Sequence, residues 1–208
     1  MRHVVFIGET GSGKSSVINL FADRECAATS SDATPCTRDF VPCDVSVDGI
    51  TYRLWDTPGL NEASIGLFRR STKINSLKRF LRERYHSGEL DLLVFCVRGS
   101  RASEGMSRTY KIFGHATRQF AIPVVVAITH LERKQPTMDA WWQDNERTLM
   151  NLGLAFDGHA CLTCLPAHHR RWASQQDIRF LISADYQKGP VSLASDAEYL
   201  RDSRCVIC

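Results

Sequence analysis

The stretch Gly8-Glu9-Thr10-Gly11-Ser12-Gly13-Lys14-Ser15 restricts the fold of this chain more than any other. It fits the pattern of a glycine, any four residues, and then glycine, lysine and serine, in which backbone amides surround phosphate groups. The apolar run 4–7 precedes it and predicts a strand. The apolar positions of segment 15–23 predict a helix after it. This strand–loop–helix context favours a phosphate-binding loop over a plain glycine-rich turn.

Each position in this loop has a physical task. Glycines let the backbone approach phosphate oxygens without a Cβ clash, and the start of the following helix attracts the negative charge. We expect Lys14 to reach the β- and γ-phosphates and the Ser15 hydroxyl to bind Mg²⁺. The predicted phosphate contacts are Gly8, Glu9, Thr10, Gly11, Ser12, Gly13, Lys14, Ser15 and Ser16. This loop alone does not distinguish ATP from GTP.

Strand and helix patterns alternate along the chain. Further strands are predicted at 39–47, 51–55, 90–97, 123–129 and 159–165, and further helices at 74–85, 108–119, 138–152 and 175–182. Such alternation predicts an α/β domain of three layers with a mostly parallel central sheet. We expect this domain to cover residues 1–182 and a flexible tail to cover 183–208.

A second motif, Asp56-Thr57-Pro58-Gly59-Leu60, follows the predicted strand 51–55. An acidic residue at such a strand end holds the Mg²⁺ shell in phosphate-loop proteins, so Asp56 is a predicted metal contact. Gly59 can offer its amide to the γ-phosphate, a contact that is lost in the diphosphate state. The alternative is a β-turn with no further role, since these residue types are common in turns.

A loop threonine between the two motifs would complete the Mg²⁺ shell. Thr34 and Thr37 are both candidates, and we favour Thr37 because Arg38 and Asp39 follow it. This element resembles the Thr-Arg-Asp of Era- and TrmE-type GTPases. The alternative is a solvated loop residue.

Together these motifs resemble the translation-factor-like class of P-loop GTPases over about residues 3–182. Within it, Gly8–Ser16 and Asp56–Leu60 most resemble the septin-like branch, which includes immunity-associated GTPases and fungal G-domain proteins. The resemblance implies a G domain, GTP or GDP as ligand, Mg²⁺ as cofactor, and a homodimer formed across the nucleotide face. A scaffold that dimerises with little hydrolysis, and an ATPase or kinase, remain alternatives.

The guanine-reading motif of that class is Asn or Thr, then Lys, any residue and Asp. Here it corresponds to Thr129-His130-Leu131-Glu132. His130 can stack on the purine, and Glu132 keeps a carboxylate acceptor but is one methylene longer than Asp. An ordinary strand end with surface charges is the alternative. A second base-contact loop is expected near 163–165, through backbone groups.

No in-chain catalyst for hydrolysis is evident. Leu60 stands where Ras-like enzymes carry the glutamine that orients water. Gly11 stands where potassium-assisted relatives carry asparagine. We therefore expect slow hydrolysis, or hydrolysis completed by a partner or a second copy of this chain.

The remaining features bear on location and partners. Eight scattered cysteines without a secretory signal predict free thiols in a cytoplasmic protein, and Cys161 and Cys164 are weak zinc candidates. A net charge of +3 gives no reason to expect nucleic-acid binding. The final Cys205-Val206-Ile207-Cys208 has the form of a prenylation box, so Cys205 is a candidate lipidation site for peripheral membrane association. The basic segment 69–84 is either a solvated helix face or a contact for acidic partners.

Overall fold

The structure is a computed structural model that describes residues 1–28, 40–60, 67–101, 104–184 and 186. Its strands are β1 (Arg2–Gly8), β2 (Val41–Val47), β3 (Ile50–Asp56), β4 (Leu92–Arg98), β5 (Val124–Thr129) and β6 (Gly158–Cys161). Its helices are α1 (Lys14–Ala22), α2 (Leu67–His86), α3 (Glu104–Phe120), α4 (Ala140–Asn151) and α5 (Arg171–Ser183).

The six strands form one sheet in the order β2-β3-β1-β4-β5-β6. Only the β2–β3 pair is antiparallel, because the tight turn at 48–49 joins these strands directly. The other neighbours are parallel, so β1, β3, β4 and β5 all end at the same edge of the sheet. This is the predicted mostly parallel α/β fold, and its carboxyl edge is where such sheets bind ligands.

The core lies on both faces of the sheet, because side chains alternate along buried strands. In β1, Val5 and Ile7 join the cluster covered by α2, α3 and α4. Val4 and Phe6 join the opposite cluster, covered by α1 and α5. Helices on both faces of one sheet give the three layers predicted.

Several elements differ from their predicted bounds: α2 begins seven residues before the predicted start at 74, and α3 begins four residues before the predicted start at 108. The final strand ends at Cys161, although Leu162 still donates its amide to the Ile128 carbonyl at 2.7 Å. Helix α5 begins at Arg171, four residues before the predicted start. The first turn of α5 buries the polar Ser174 and leaves Trp172 71% exposed, so apolar residues do not mark the side that faces the core.

The expectation that all cysteines are free thiols is wrong at two positions. Cys26 and Cys43 form a disulfide with Cα atoms 5.9 Å apart. Cys26 follows α1 and Cys43 lies on β2, and the fold brings these segments together although 17 positions separate them in sequence. Among the described residues, Cys96, Cys161 and Cys164 are free thiols.

Several expectations concern parts of the chain outside the described ranges. These are Thr34, Thr37, Arg38, Cys205 and nearly all of the expected tail 183–208, so they stay predictions. Within the described ranges, no helix is both long and apolar enough to cross a membrane.

Candidate functional site at the carboxyl edge of the sheet

The phosphate loop connects β1 to α1 at this edge. The Ser12 amide donates to the Glu9 carbonyl at 3.2 Å, which closes the turn, and the Val17 amide donates to the Gly13 carbonyl at 2.8 Å, which begins the helix. Gly13 has φ of 87°, a conformation that disfavours residues with a side chain. Ser15 and Ser16 lie in the first turn of α1, whose free amides attract an anion.

Lys14 curls back over this loop. Its ammonium donates to the Gly8 carbonyl at 3.3 Å and to the Glu9 carbonyl at 3.1 Å. Burial lowers the pKa of this ammonium, and the neighbouring Asp56 carboxylate opposes that shift. A buried cation beside free helix amides is suited to bind phosphate groups.

The predicted metal-binding residues Ser15 and Asp56 join α1 to the end of β3. The Ser15 hydroxyl donates to Asp56 Oδ2 at 2.6 Å, and Asp56 is 2% exposed. One hydroxyl and one carboxylate are the hard oxygen donors that Mg²⁺ prefers when phosphates supply further ligands. The pair therefore fits the predicted magnesium site. No group of three or more His, Cys, Asp or Glu side chains in the described ranges could hold a metal ion by itself.

Gly59, which we call the switch glycine because its predicted γ-phosphate contact is lost in the diphosphate state, packs directly on the phosphate loop. A Cβ added to Gly59 would lie 2.1 Å from Thr10 Oγ1 and 2.7 Å from the Thr10 nitrogen. The next amide, that of Leu60, donates to the Gly8 carbonyl at 3.3 Å. On the other side, the Thr57 hydroxyl donates to the Phe6 carbonyl at 2.7 Å and anchors the motif to β1. The two motifs thus form one continuous surface.

The predicted base loop is tied to the phosphate loop by Thr129. Its buried hydroxyl is 2.9 Å from the Ser12 carbonyl, to which it donates, and 2.8 Å from His130 Nδ1. Its side chain also lies against Gly13, where an added Cβ would approach it to 3.1 Å. His130 has φ of 60° and an exposed side chain.

Glu132 lies close to the second loop predicted to contact the base. The pKa of the Cys164 thiol is raised to about 12 by burial, and the nearby Glu132 carboxylate adds to the rise. Thr163 is fully buried, and its amide donates a hydrogen bond to Ser174 Oγ at 3.0 Å. The Leu131 amide donates to the Leu162 carbonyl at 3.3 Å and joins the two loops. The fold thus brings 129–132 and 163–165 together.

Sequence patterns did not reveal one contact of the site. The Thr109 hydroxyl, from α3, donates to Glu9 Oε1 at 3.2 Å. This bond holds the side chain of the loop residue Glu9 against helix α3, 100 positions away in the sequence. No local sequence pattern identifies Thr109 as the partner of Glu9.

Comparison with known proteins agrees with this geometry. The family described as 50S ribosome-binding GTPase matches residues 3–130. GTPase Der of Campylobacter lari is 28% identical over 141 residues, which is 68% of this chain. The chain spans only 28% of the length of Der.

Solved structures share the fold at low identity. Era of Aquifex aeolicus, bound to GDP and AlF4⁻, has a TM-score of 0.61 at 16% identity, over 92% of this chain and 62% of that one. A structure of the chloroplast translocon components atToc33 and psToc159, whose dimerization is described as important for GTPase activity, has a TM-score of 0.56 at 18% identity. It covers 80% of this chain and 71% of that one.

Proposed function

This chain belongs to the 50S ribosome-binding GTPase family, and we propose that it is a Mg²⁺-dependent GTP/GDP switch with slow hydrolysis. The observation that carries the proposal is the joining of three elements at one sheet edge. The phosphate loop, the Ser15–Asp56 pair and the Thr129 base loop are connected by direct hydrogen bonds. A G domain needs these three groups for phosphates, metal and base.

In this proposal, Ser15 and Asp56 hold Mg²⁺ together with Thr37, which lies outside the described residues. Mg²⁺ held there would supply positive charge that offsets the negative charge of the phosphates. Lys14 and the amides of the loop would bind the same phosphates. The contact of Gly59 with Thr10 joins the Asp56–Leu60 motif to the phosphate loop, which supports a response of this motif to loss of the γ-phosphate.

Guanine selectivity is proposed to rest on Glu132 and His130. Glu132 is half-buried beside the 163–165 loop, where a carboxylate can accept hydrogen bonds from the guanine edge. The exposed ring of His130 can stack on the base. A carboxylate that accepts two hydrogen bonds discriminates strongly only when its geometry is well aligned.

Competition between nucleotides tests this function. We expect GTP to displace a fluorescent GDP analogue about 100-fold better than ATP, a difference of about 2.7 kcal/mol. Glu132→Asp should increase that preference, because the carboxylate then has the length common in the class. Glu146→Asp, on the exposed side of α4, is the matched control and should leave it unchanged. Equal displacement by ATP would contradict the GTP assignment.

A nucleotide-dependent dimer is the second candidate function, and Leu60 favours it. This residue is 2% exposed and has no polar group that could orient water. For the chloroplast translocon components, dimerization is important for GTPase activity. We infer that this chain dimerises across its nucleotide face and that the dimer either assists hydrolysis or acts as a scaffold.

Two finer assignments remain proposals from sequence. The proposed relationship to the septin-like and immunity-associated branch, including fungal G-domain proteins, rests on the sequences of Gly8–Ser16 and Asp56–Leu60. Prenylation at Cys205, with peripheral membrane association, rests on the last four residues and on no described part of the fold.

A further inference from the structure

We infer that the Thr10 hydroxyl positions the attacking water in GTP hydrolysis, an inference that rests on the proposed function. Thr10 Oγ1 is buried and has no hydrogen-bond partner among the described residues. It lies against Gly59, since a Cβ added there would approach this oxygen to 2.1 Å. The hydroxyl is thus located where the phosphate loop meets the switch glycine.

A buried hydroxyl without a partner destabilises a protein, so its presence calls for a partner that binds there. A hydroxyl can donate one hydrogen bond and accept two. It can therefore accept from a water molecule and still donate to a phosphate oxygen. Such a group holds a small nucleophile in one orientation beside the γ-phosphate.

The other side chains nearby have different surroundings. The Lys14 ammonium donates hydrogen bonds to the carbonyls of Gly8 and Glu9. The Glu9 carboxylate accepts from Thr109. Ser12 Oγ is also buried without a hydrogen-bond partner among the described residues, but it faces Gly8, where an added Cβ would approach it to 2.6 Å. Among the described residues of this loop, Thr10 therefore has the hydroxyl that faces the switch glycine.

Leu60 explains why such a role is needed. The residue after the switch glycine cannot orient water here, because it is an aliphatic side chain buried in the core. Thr10 contacts Gly59, the residue before Leu60, from the phosphate loop. The inferred arrangement moves water positioning from the residue after Gly59 to the phosphate loop.

The reaction itself needs no further reactant. The water oxygen forms a bond to the γ-phosphorus while the bond from that phosphorus to the β,γ-bridging oxygen breaks, and its electrons stay on GDP. The water proton passes to a γ-phosphate oxygen and leaves with inorganic phosphate. Thr10 holds the water and is not consumed.

Single-turnover hydrolysis of GTP by the full chain, at one fixed protein concentration, tests the inference. Thr10→Val has nearly the same shape but lacks the hydroxyl, and we expect its rate to fall at least about tenfold, the loss expected for one hydrogen bond made in the transition state. Thr10→Ser keeps the hydroxyl and should stay within about threefold of wild type. The matched control, Thr51→Val at the start of β3, should hydrolyse GTP as wild type does.

Nucleotide affinity separates positioning from binding. Titration with a fluorescent GDP analogue should give similar dissociation constants for wild type and all three variants. Thr10→Val hydrolysing at the wild-type rate would overturn the inference. So would loss of GDP affinity in that variant, since the hydroxyl would then serve binding. If wild type itself released no phosphate, the inference would fall, whereas GTP binding would still be judged by nucleotide competition.

Discussion

At the scale of single residues, the contact between Gly59 and Thr10 leaves no room for a side chain. A methyl group at position 59 would lie 2.7 Å from the Thr10 nitrogen, so the backbone of the switch segment or of the loop must move. We expect Gly59→Ala to weaken GTP binding at least about tenfold, or ~1.4 kcal/mol, and GDP binding less. The reason is that the displaced segment carries the amide proposed to bind the γ-phosphate.

Titration of both nucleotides measures this difference. Gly49→Ala is the control, since Gly49 has φ of 79° but nothing lies within 4 Å of a Cβ added there. It sits in the β2–β3 turn and should reduce stability alone. Equal losses for GTP and GDP in Gly59→Ala would show that residue 59 does not sense the third phosphate.

Residues with a defined chemical task in a short motif were the most predictable part of the site. Lys14, Ser15 and Asp56 lie close together, as their positions in the two motifs predicted. The link from Thr129 to Ser12 could not be predicted, because it depends on how two strand ends align across the sheet. The positive φ of His130 is likewise set by the surrounding loop and not by its residue type.

At the scale of elements, the disulfide between Cys26 and Cys43 joins the end of α1 to β2. It closes a loop whose ends are 17 positions apart. Such a crosslink stabilises by about 3 kcal/mol, chiefly by restricting the unfolded chain. We expect reductant to lower the free energy of unfolding of the wild type by this amount.

Urea unfolding with and without reductant measures the effect. The double variant Cys26→Ala/Cys43→Ala should match the reduced wild type and should not respond to reductant. A wild type that is equally stable in both conditions would mean that this crosslink contributes nothing to folding.

Element types were easier to predict than element ends. The apolar runs of β1, β4 and β5 are buried on both faces, and such runs are distinctive. Strand β6 has only four residues, because pairing with β5 stops at Cys161. The disulfide could not be foreseen, since cysteine spacing does not show which segments the sheet brings together.

At the scale of the whole molecule, assembly across the nucleotide face is the property to test. If a second copy completes the site, specific GTPase activity should rise with protein concentration over about a hundredfold range, because assembly follows mass action. Phosphate release and light scattering, both with GTP present, measure activity and mass together. Negligible, concentration-independent release by a dimer would favour the scaffold, and a monomer at all concentrations would contradict both forms of the proposal.

The layered architecture followed from the sequence, because alternating strands and helices have few ways to bury both faces of a sheet. Strand order and the antiparallel edge β2 agree with the turn at 48–49. Long-range contacts such as Thr109 with Glu9 required the folded arrangement, since they join elements that are far apart in the chain.

The hydrogen bond from Thr129 to the Ser12 carbonyl has a thermodynamic consequence. It makes the base loop and the phosphate loop parts of one preorganised unit. Binding of either the base or the phosphates therefore orders both loops, and the entropy cost of ordering them is met only once. Contributions of base and phosphates to affinity should then be cooperative, not additive. A ligand with the wrong base would also be held less well by its phosphates.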